Sequence, residues 1–148
     1  MEKFQIYLAG GMGSFGKENF DKGNNWRLYC KKILEGEIQI KYSIVKVINP
    51  NDYFNFLDDT KIGFEYEKEA MEFDLDKVRK SDLIIINFND MYSLGSMAEL
   101  AIAYERRIPV LGLDIDKQKL HPWEKLMCNK IFDDIDHLLD YTIDFYIT

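Results

Sequence analysis

Two acidic residues, Asp74 and Glu99, flank an apolar run at residues 83–88 and are candidates for a pair of catalytic carboxyl groups. A helical pattern that begins at Gly95 places Glu99 in the first turn of a helix, with its side chain tilted back toward the N-terminus. The partial positive charge there stabilises a carboxylate by about 0.3 to 2 kcal/mol, which suits a nucleophile better than an acid. The structural alternative is a capping box, Ser96-x-x-Glu99, in which Glu99 only accepts a hydrogen bond from the Ser96 amide. For Asp74, in the preceding helical pattern, the alternative is a solvated surface acid.

A glycine-rich loop follows the first apolar run and reads Gly10-Gly11-Met12-Gly13-Ser14-Phe15-Gly16. Its second, fourth and seventh residues match the dinucleotide-binding pattern GxGxxG. That fold also requires a helix directly after the glycines and an acid at the end of the second strand. Gly23-Asn24-Asn25 instead predicts a loop that caps a helix at Trp26, and the second strand pattern ends in Asn49-Pro50. A nicotinamide or flavin cofactor is therefore disfavoured, and the loop is a flexible turn or a backbone that contacts a sugar.

The elements that would position these residues alternate along the chain. Continuous apolar runs, typical of strands buried on both faces, lie at residues 4–9, 44–48, 83–88 and 109–113. Helical spacing occupies residues 25–34, 66–80, 95–106 and 133–145. This alternation predicts a small, doubly wound, flavodoxin-like or Rossmann-like α/β domain with helices on both faces of a parallel sheet. We expect the strand order 2-1-3-4, with Lys130–Phe132 as candidate fifth strand, and one domain over residues 1–148.

In such sheets, ligands bind beyond the carboxyl ends of the strands, where the strand order reverses. That rule selects the loops that begin at Gly10, Asn49, Asn89 and Asp114. Asn49 is a candidate to hydrogen-bond a base, and its alternative is a turn-former before Pro50. Aromatic stacking on a base would fall to Phe15 or Trp26, although a Trp at the start of a helix more often belongs to the core.

Composition excludes several classes of function. The chain has 148 residues, with 26 acidic against 19 basic side chains and a net charge of -7, and no basic stripe. Binding to nucleic-acid polymers or anionic membranes is therefore not expected. Cys30 and Cys128 form no CxxC motif, and no apolar run has the length of a signal or membrane segment, so we expect free thiols and a cytoplasmic protein. His121 and His137 have no matching ligand partners, and the acids at 133–136 read as the start of a helix, so we expect no metal.

The order of the motifs resembles the nucleoside 2-deoxyribosyltransferase superfamily, including its nucleoside 5′-monophosphate N-glycosidase branch. The resemblance runs from about residue 4 to 113 and rests on Ile6-Tyr7-Leu8-Ala9-Gly10-Gly11, Asn49-Pro50, Asp74 eight residues before Asp82, and Ser93-Leu94-Gly95 through Glu99-Leu100.

The resemblance implies that Glu99 attacks the anomeric carbon of a nucleoside and holds the sugar as a glycosyl ester. Asp74 would assist protonation of the departing base, and Tyr7 would orient the nucleophile. Two carboxyl groups flanking a glycosidic bond are what retaining chemistry requires. Transfer of the sugar to a free nucleobase would make the protein a transferase, and transfer to water would make it an N-glycosidase. No metal or organic cofactor is implied.

The loop before Glu99 departs from the transferases. Where they carry an acid for the sugar 5′-hydroxyl, this chain has Ser93, and Ser93-Leu94-Gly95 is similar to the monophosphate branch. A hydroxyl and free helix amides suit a phosphate. Against this, the loop holds no Arg or Lys, and Asp90 lies nearby.

The resemblance gives the substrate-binding candidates Gly10, Gly11, Met12, Asn49, Ser93, Gly95 and Ser96. It also implies a homo-oligomer, a dimer or higher, with sites near the subunit interface, to which the aromatic tail at residues 141–146 or the Cys128-Asn129 region would contribute. The competing class of function is a nucleotide-sensing module that binds without turnover.

Overall fold

A computed structural model describes residues 2–12, 20–36, 43–53, 64–90 and 92–147. Five parallel strands form one sheet in the order β2-β1-β3-β4-β5. The strands are β1 Glu2–Gly10, β2 Ser43–Ile48, β3 Leu83–Asn87, β4 Val110–Leu113 and β5 Lys130–Phe132. The predicted doubly wound α/β class, the order of the first four strands and the candidate fifth strand are all confirmed.

Five α-helices accompany the sheet within the described ranges. They are α1 Phe20–Gly36, α2 Phe64–Arg79, α3 Leu94–Glu105, α4 Pro122–Met127 and α5 Ile135–Thr142, and a π-helical turn, Ile143–Ile147, continues α5. A short 3-10 helix, Pro50–Asp52, follows β2. In the described part of the chain, no helix combines the length and apolarity needed to cross a bilayer.

Each face of the sheet has its own core because successive side chains of a buried strand point to opposite faces. In β3, Leu83 and Ile85 pack on the face covered by α1 and α5. Ile84 and Ile86 pack on the other face, where α2 and α3 contribute Val78 and Leu100. The continuous apolar runs in the sequence therefore reflect burial on both faces, and the strand order reverses beside β1.

Helix α1 begins earlier than its sequence predicts. The expected loop at Gly23-Asn24-Asn25 is wrong, because these residues are helical from Phe20 onward. Gly23 packs so closely on the loop after β1 that a Cβ there would clash with Met12 Sδ and lie 3.0 Å from the Gly11 carbonyl. Glycine is thus required by close packing, although its low helix propensity favours a loop.

This correction removes one of the two sequence arguments against a dinucleotide fold. The other remains, because β2 ends at Ile48 and is followed by Asn49-Pro50, with no acid at that point. Gly13, Phe15 and Gly16 lie outside the described residues.

Helix α4 was not predicted. Its six residues begin after His121, whose Nδ1 accepts from the Trp123 amide at 3.1 Å while Glu124 accepts from the His121 amide at 2.8 Å. This reciprocal capping satisfies amides that a short helix leaves free. At α5, Asp134 caps the His137 amide at 3.0 Å, which confirms that the acidic run starts a helix.

Candidate active site

The loops after β1 and β3 are joined at the carboxyl edge of the sheet. The Gly11 amide donates to Asn89 Oδ1 at 2.9 Å, and Asn89 Nδ2 donates back to the Gly11 carbonyl at 3.4 Å. A Cβ at Gly11 would lie 2.7 Å from the Cβ of Asp90. The two loops therefore form one closely packed floor at the point where the strand order reverses, which is where ligands bind in such sheets.

Asp74 lies on the core-facing side of α2. The buried residues Ala70 and Val78 are each four positions from Asp74, so all three share one face of the helix. The pKa of Asp74 is raised to about 7 because burial disfavours the charged form. The sequence already contained this signal, because the ionisable residue Asp74 lies between two apolar residues at helical spacing, and that position predicts a buried carboxyl group.

Glu99 lies at the edge of the buried face of α3, which Ser96, Leu100 and Ala103 form. Burial raises the pKa of Glu99 to about 8, while contact with the Tyr7 hydroxyl lowers it and the nearby charge of Asp74 raises it. The two carboxyl groups of neighbouring helices are thus brought into electrostatic contact, together with a tyrosine from β1.

Three buried polar atoms at this place have no hydrogen-bond partner in the part of the chain that the structure describes: Tyr7 Oη, Asp74 Oδ1 and Glu99 Oε2. Tyr7 is 1% exposed, and burial followed by the charge of Glu99 raises the pKa of its hydroxyl. The Tyr7 hydroxyl and the Glu99 carboxyl interact without reaching ordinary hydrogen-bond geometry. Buried polar groups left in this state are uncommon outside functional sites.

The start of α3 differs from both sequence interpretations of Glu99. Ser93 is the N-cap and accepts from the Ser96 amide at 3.4 Å, and the two serine hydroxyls are 2.9 Å apart. The proposed capping box between Ser96 and Glu99 is therefore wrong. Leu94 is the first helical residue, so Glu99 is the sixth and lies beyond the first turn. The helix dipole acts mainly within that turn, so burial prevails and the expected stabilisation of the carboxylate is replaced by a raised pKa.

No family model matches the chain, and no curated protein matches it by sequence. Solved structures do match. A 2-deoxyribosyltransferase from Bacillus psychrosaccharolyticus superposes with a TM-score of 0.69 at 17% identity, over 93% of this chain and 91% of that one. The chain has the 2-deoxyribosyltransferase fold. A conserved protein from Enterococcus faecalis V583 gives a TM-score of 0.67 at 18% identity, over 93% of this chain and 96% of that one. The CMP N-glycosidase BcmB of Clostridium botulinum gives 0.54 at 17% identity, over 97% and 99% of the two chains.

The resemblance seen in the sequence is thus confirmed at the level of the fold. On this 2-deoxyribosyltransferase fold, Asn49 is fully buried, accepts from the Asn51 amide at 3.1 Å and donates to Asn24 Oδ1 at 3.0 Å. Both of its side-chain polar atoms therefore have partners within the chain. Gly95 is exposed, and a Cβ there would have no described atom within 4 Å, so the described residues leave the N-terminus of α3 open.

The remaining predicted residues lie around the loop after β1. A Cβ at Gly10 would lie 3.0 Å from the ring of Trp26, which belongs to the core. Met12 Sδ is 3.0 Å from an amino nitrogen of Arg27 and 3.3 Å from Asn51 Nδ2. The aromatic tail packs partly on the core through Tyr141 and its neighbours. In the described ranges, no group of three or more His, Cys, Asp or Glu side chains could hold a metal ion, and both cysteines are free thiols.

One buried residue close to the candidate site was missed by the sequence reasoning. Arg27 is only 2% exposed, and its guanidinium lies beneath the end of β1. The loop expected through residue 25 hid it, because Arg27 then stood at the start of a helix. With α1 beginning at Phe20, Arg27 is one turn after Gly23 on the buried face.

Proposed function

We propose that the chain is an enzyme that cleaves the N-glycosidic bond of a 2′-deoxynucleoside and transfers the sugar to a free nucleobase. The observation that carries the proposal is that Tyr7, Asp74 and Glu99 each have a buried side-chain oxygen without a hydrogen-bond partner among the described residues, and that the charges of Asp74 and Glu99 act on Tyr7. The solved 2-deoxyribosyltransferase and CMP N-glycosidase with the same fold support this chemistry. The homo-oligomer and the cytoplasmic location stay predictions.

In the first step, an oxygen of the ionised Glu99 bonds to C1′ of the sugar, and the C1′–N bond breaks. The electron pair of that bond goes to the base, and protonated Asp74 delivers a proton to a base nitrogen. Both carboxyl groups have a pKa raised toward neutrality, to about 7 at Asp74 and about 8 at Glu99, so near pH 7 to 8 the pair holds one proton that lies mainly on Glu99 in the free protein. When the nucleoside binds, this proton passes to Asp74, which leaves Glu99 ionised for the attack. One proton on two carboxyl groups is the state that this step requires.

In the second step, a nitrogen of the acceptor base attacks C1′, and the ester bond to Glu99 breaks. The proton of the attacking nitrogen passes to Asp74, which restores the starting state. Tyr7 directs its hydroxyl at the Glu99 carboxyl and stabilises the ionised form, because the contact lowers the pKa of Glu99. A covalent intermediate divides one difficult displacement into two easier ones.

A second candidate function is hydrolysis of a nucleoside 5′-monophosphate. The open N-terminus of α3 and the hydroxyl of Ser93 favour it, because free amides of a helix N-terminus bind phosphate. Two observations favour the uncharged nucleoside. The Ser93 hydroxyl already contacts Ser96 at 2.9 Å, and Asp90 places a carboxylate next to Gly11 and accepts from the Tyr92 amide at 3.0 Å. A carboxylate there would repel a phosphate.

The test measures base release and base exchange by chromatography. Each deoxynucleoside and each deoxynucleoside 5′-monophosphate is incubated with and without a different free base. Wild type is compared with Glu99→Gln, Asp74→Asn and the control Glu105→Gln, which changes an exposed glutamate of the same helix.

We expect exchange from deoxynucleosides in wild type and in the control, and a loss of at least about a thousandfold in Glu99→Gln. Trapping the sugar on Glu99 with a 2-fluoro-substituted nucleoside would give a mass increase in wild type and in Glu105→Gln, but none in Glu99→Gln. Free sugar phosphate without exchange would establish the second candidate. Absence of base release from every donor, with tight binding of nucleotides, would overturn both in favour of a sensing module.

A further inference from the structure

Arg27 holds the end of β1 from beneath. One guanidinium nitrogen donates to the Gly10 carbonyl at 2.8 Å, and Nε donates to the Leu8 carbonyl at 3.5 Å. A further nitrogen donates to the Gly23 carbonyl and lies beside Met12 Sδ. The Arg27 side chain therefore contacts four groups: two carbonyls of β1, the sulfur of Met12 just after β1, and one carbonyl of α1. The planar fork of arginine suits this task, whereas lysine has a single nitrogen.

The positive charge of Arg27 is buried and has no adjacent carboxylate among the described residues. None of the ion pairs in that part of the chain includes it. Burial lowers the pKa of Arg27 to about 10, so the guanidinium is charged at neutral pH. A buried cation is normally paired, because removing it from water is unfavourable. The titratable groups whose ionised forms attract the guanidinium are, in order of effect, Glu99, Tyr7, Asp74 and Cys30.

The charged and titratable groups around the carboxyl pair come from four elements. Strand β1 supplies Tyr7, α1 supplies Arg27, α2 supplies Asp74 and α3 supplies Glu99. Arg27 is the one cation among them, and it lowers the pKa of both carboxyl groups. The Cys30 thiol also lies near Arg27, but burial raises its pKa to about 12, so it stays neutral.

We propose that Arg27 is a positioning residue with two roles: its hydrogen bonds fix the loop after β1, and its buried charge stabilises the ionised state of the Asp74 and Glu99 pair. The second role deepens the proposed function and rests on it for its catalytic meaning. The residue acts through space and through the backbone, without touching the reacting atoms. It supplies the positive charge that the start of α3 does not supply to Glu99.

The experiment compares Arg27→Gln, Arg27→Lys and the control Arg79→Gln, which removes an exposed arginine at the end of α2. Glutamine removes the charge, and lysine keeps the charge but loses the fork. The first readout is the carboxyl-carbon NMR titration of Asp74 and Glu99 in the ligand-free protein. The second readout is the pH profile of base release, separated into kcat and KM.

In Arg27→Gln we expect the titration midpoints of the pair to rise by about one pH unit, because a cation that favoured the ionised form is lost. The acid limb of the pH profile should shift by the same amount. In Arg27→Lys the midpoints should stay within about half a unit of wild type while kcat falls about tenfold, since the loop loses its hydrogen bonds. Arg79→Gln should change neither readout.

Unchanged carboxyl titrations in a folded Arg27→Gln variant would overturn the electrostatic role. Should that variant not fold, Arg27→Lys decides the positioning role, and wild-type kcat in it would overturn that role. The titration needs no turnover. A shifted titration without base release from any donor would therefore refute the proposed function and leave the electrostatic role of Arg27 supported.

Discussion

Replacing Glu99 with glutamine is expected to stabilise the protein increasingly as the pH rises. The pKa of Glu99 is about 8 in the native protein, against 4.5 for an unperturbed glutamate. Between these values the native state binds a proton that the unfolded chain lacks, so stability falls as the pH rises, by up to about 1.4 kcal/mol per pH unit. The contribution of Glu99 to the stability of the wild-type protein is therefore fully present below about pH 4.5 and is lost as the pH rises to about 8. Solvent contact on the exposed part of the side chain reduces the effect, and we expect about 2 kcal/mol between pH 5 and pH 8.

The assay is urea unfolding at pH 5, 6, 7 and 8, followed by circular dichroism. The difference in unfolding free energy between Glu99→Gln and wild type should grow by about 2 kcal/mol across this series. Glu105→Gln, on the exposed face of the same helix, should give a difference that does not depend on pH. Asp74 contributes a slope of the same sign to both proteins, because its pKa is also raised. If the difference in unfolding free energy between Glu99→Gln and wild type stays constant from pH 5 to pH 8, burial does not raise the pKa of Glu99, and the reasoning is refuted.

Three further outcomes are expected. Tyr7→Phe should lower base release by about tenfold to a hundredfold, because Glu99 loses a hydroxyl that favours its ionised form, while changing the unfolding free energy by less than about 1 kcal/mol, because the buried hydroxyl makes no hydrogen bond of ordinary geometry among the described residues. Asp90→Ser should raise the kcat/KM ratio of 5′-monophosphate to nucleoside by about tenfold, and an unchanged ratio would show that Asp90 does not repel the phosphate. Gly23→Ala should lower the urea midpoint by the equivalent of about 1 to 3 kcal/mol, because the new methyl group would clash with Met12 Sδ and lie 3.0 Å from the backbone carbonyl of Gly11. Gly36→Ala, where the described residues leave nothing within 4 Å, should not lower it.

The fold was largely predictable because its signals are strong and local. The buried strands are continuous apolar runs, and their alternation with helices allows few connections. The start of α1 was not predictable from local preference, because Gly23 and Asn24 favour loops. Their helical conformation is accompanied by tertiary contacts, of Gly23 with Met12 and of Asn24 with Asn49 and Asn51. Helix α4 was missed because it has six residues, too few to show a period.

The candidate site was predictable in its members but not in its electrostatics. Asp74 and Glu99 could be selected by position, and the structure brings them together with Tyr7. Because α3 is capped at Ser93 and not at Ser96, the helix begins about one turn earlier than expected. Glu99 therefore lies beyond the first turn, where burial and not the helix dipole determines the direction of its pKa shift. Arg27 could be recognised only after the true start of α1 was known.

Because α3 is capped at Ser93, the residues that fix the position of Glu99 are different from those that form the exposed start of the helix. Substitutions can therefore change the two independently. Glu99 is anchored by the packing of Leu100 and Ala103, well inside α3, while Ser93 and Gly95 form the open rim. Under the proposed function, substitutions at the rim would therefore change which donor molecule enters, without moving the carboxyl group of Glu99. Under the proposed function, an ancestral enzyme with this arrangement would acquire new substrates through changes at a few rim residues. In a library randomised at Ser93 and Gly95, we expect variants that still cleave the N-glycosidic bond but differ in the donor that they prefer.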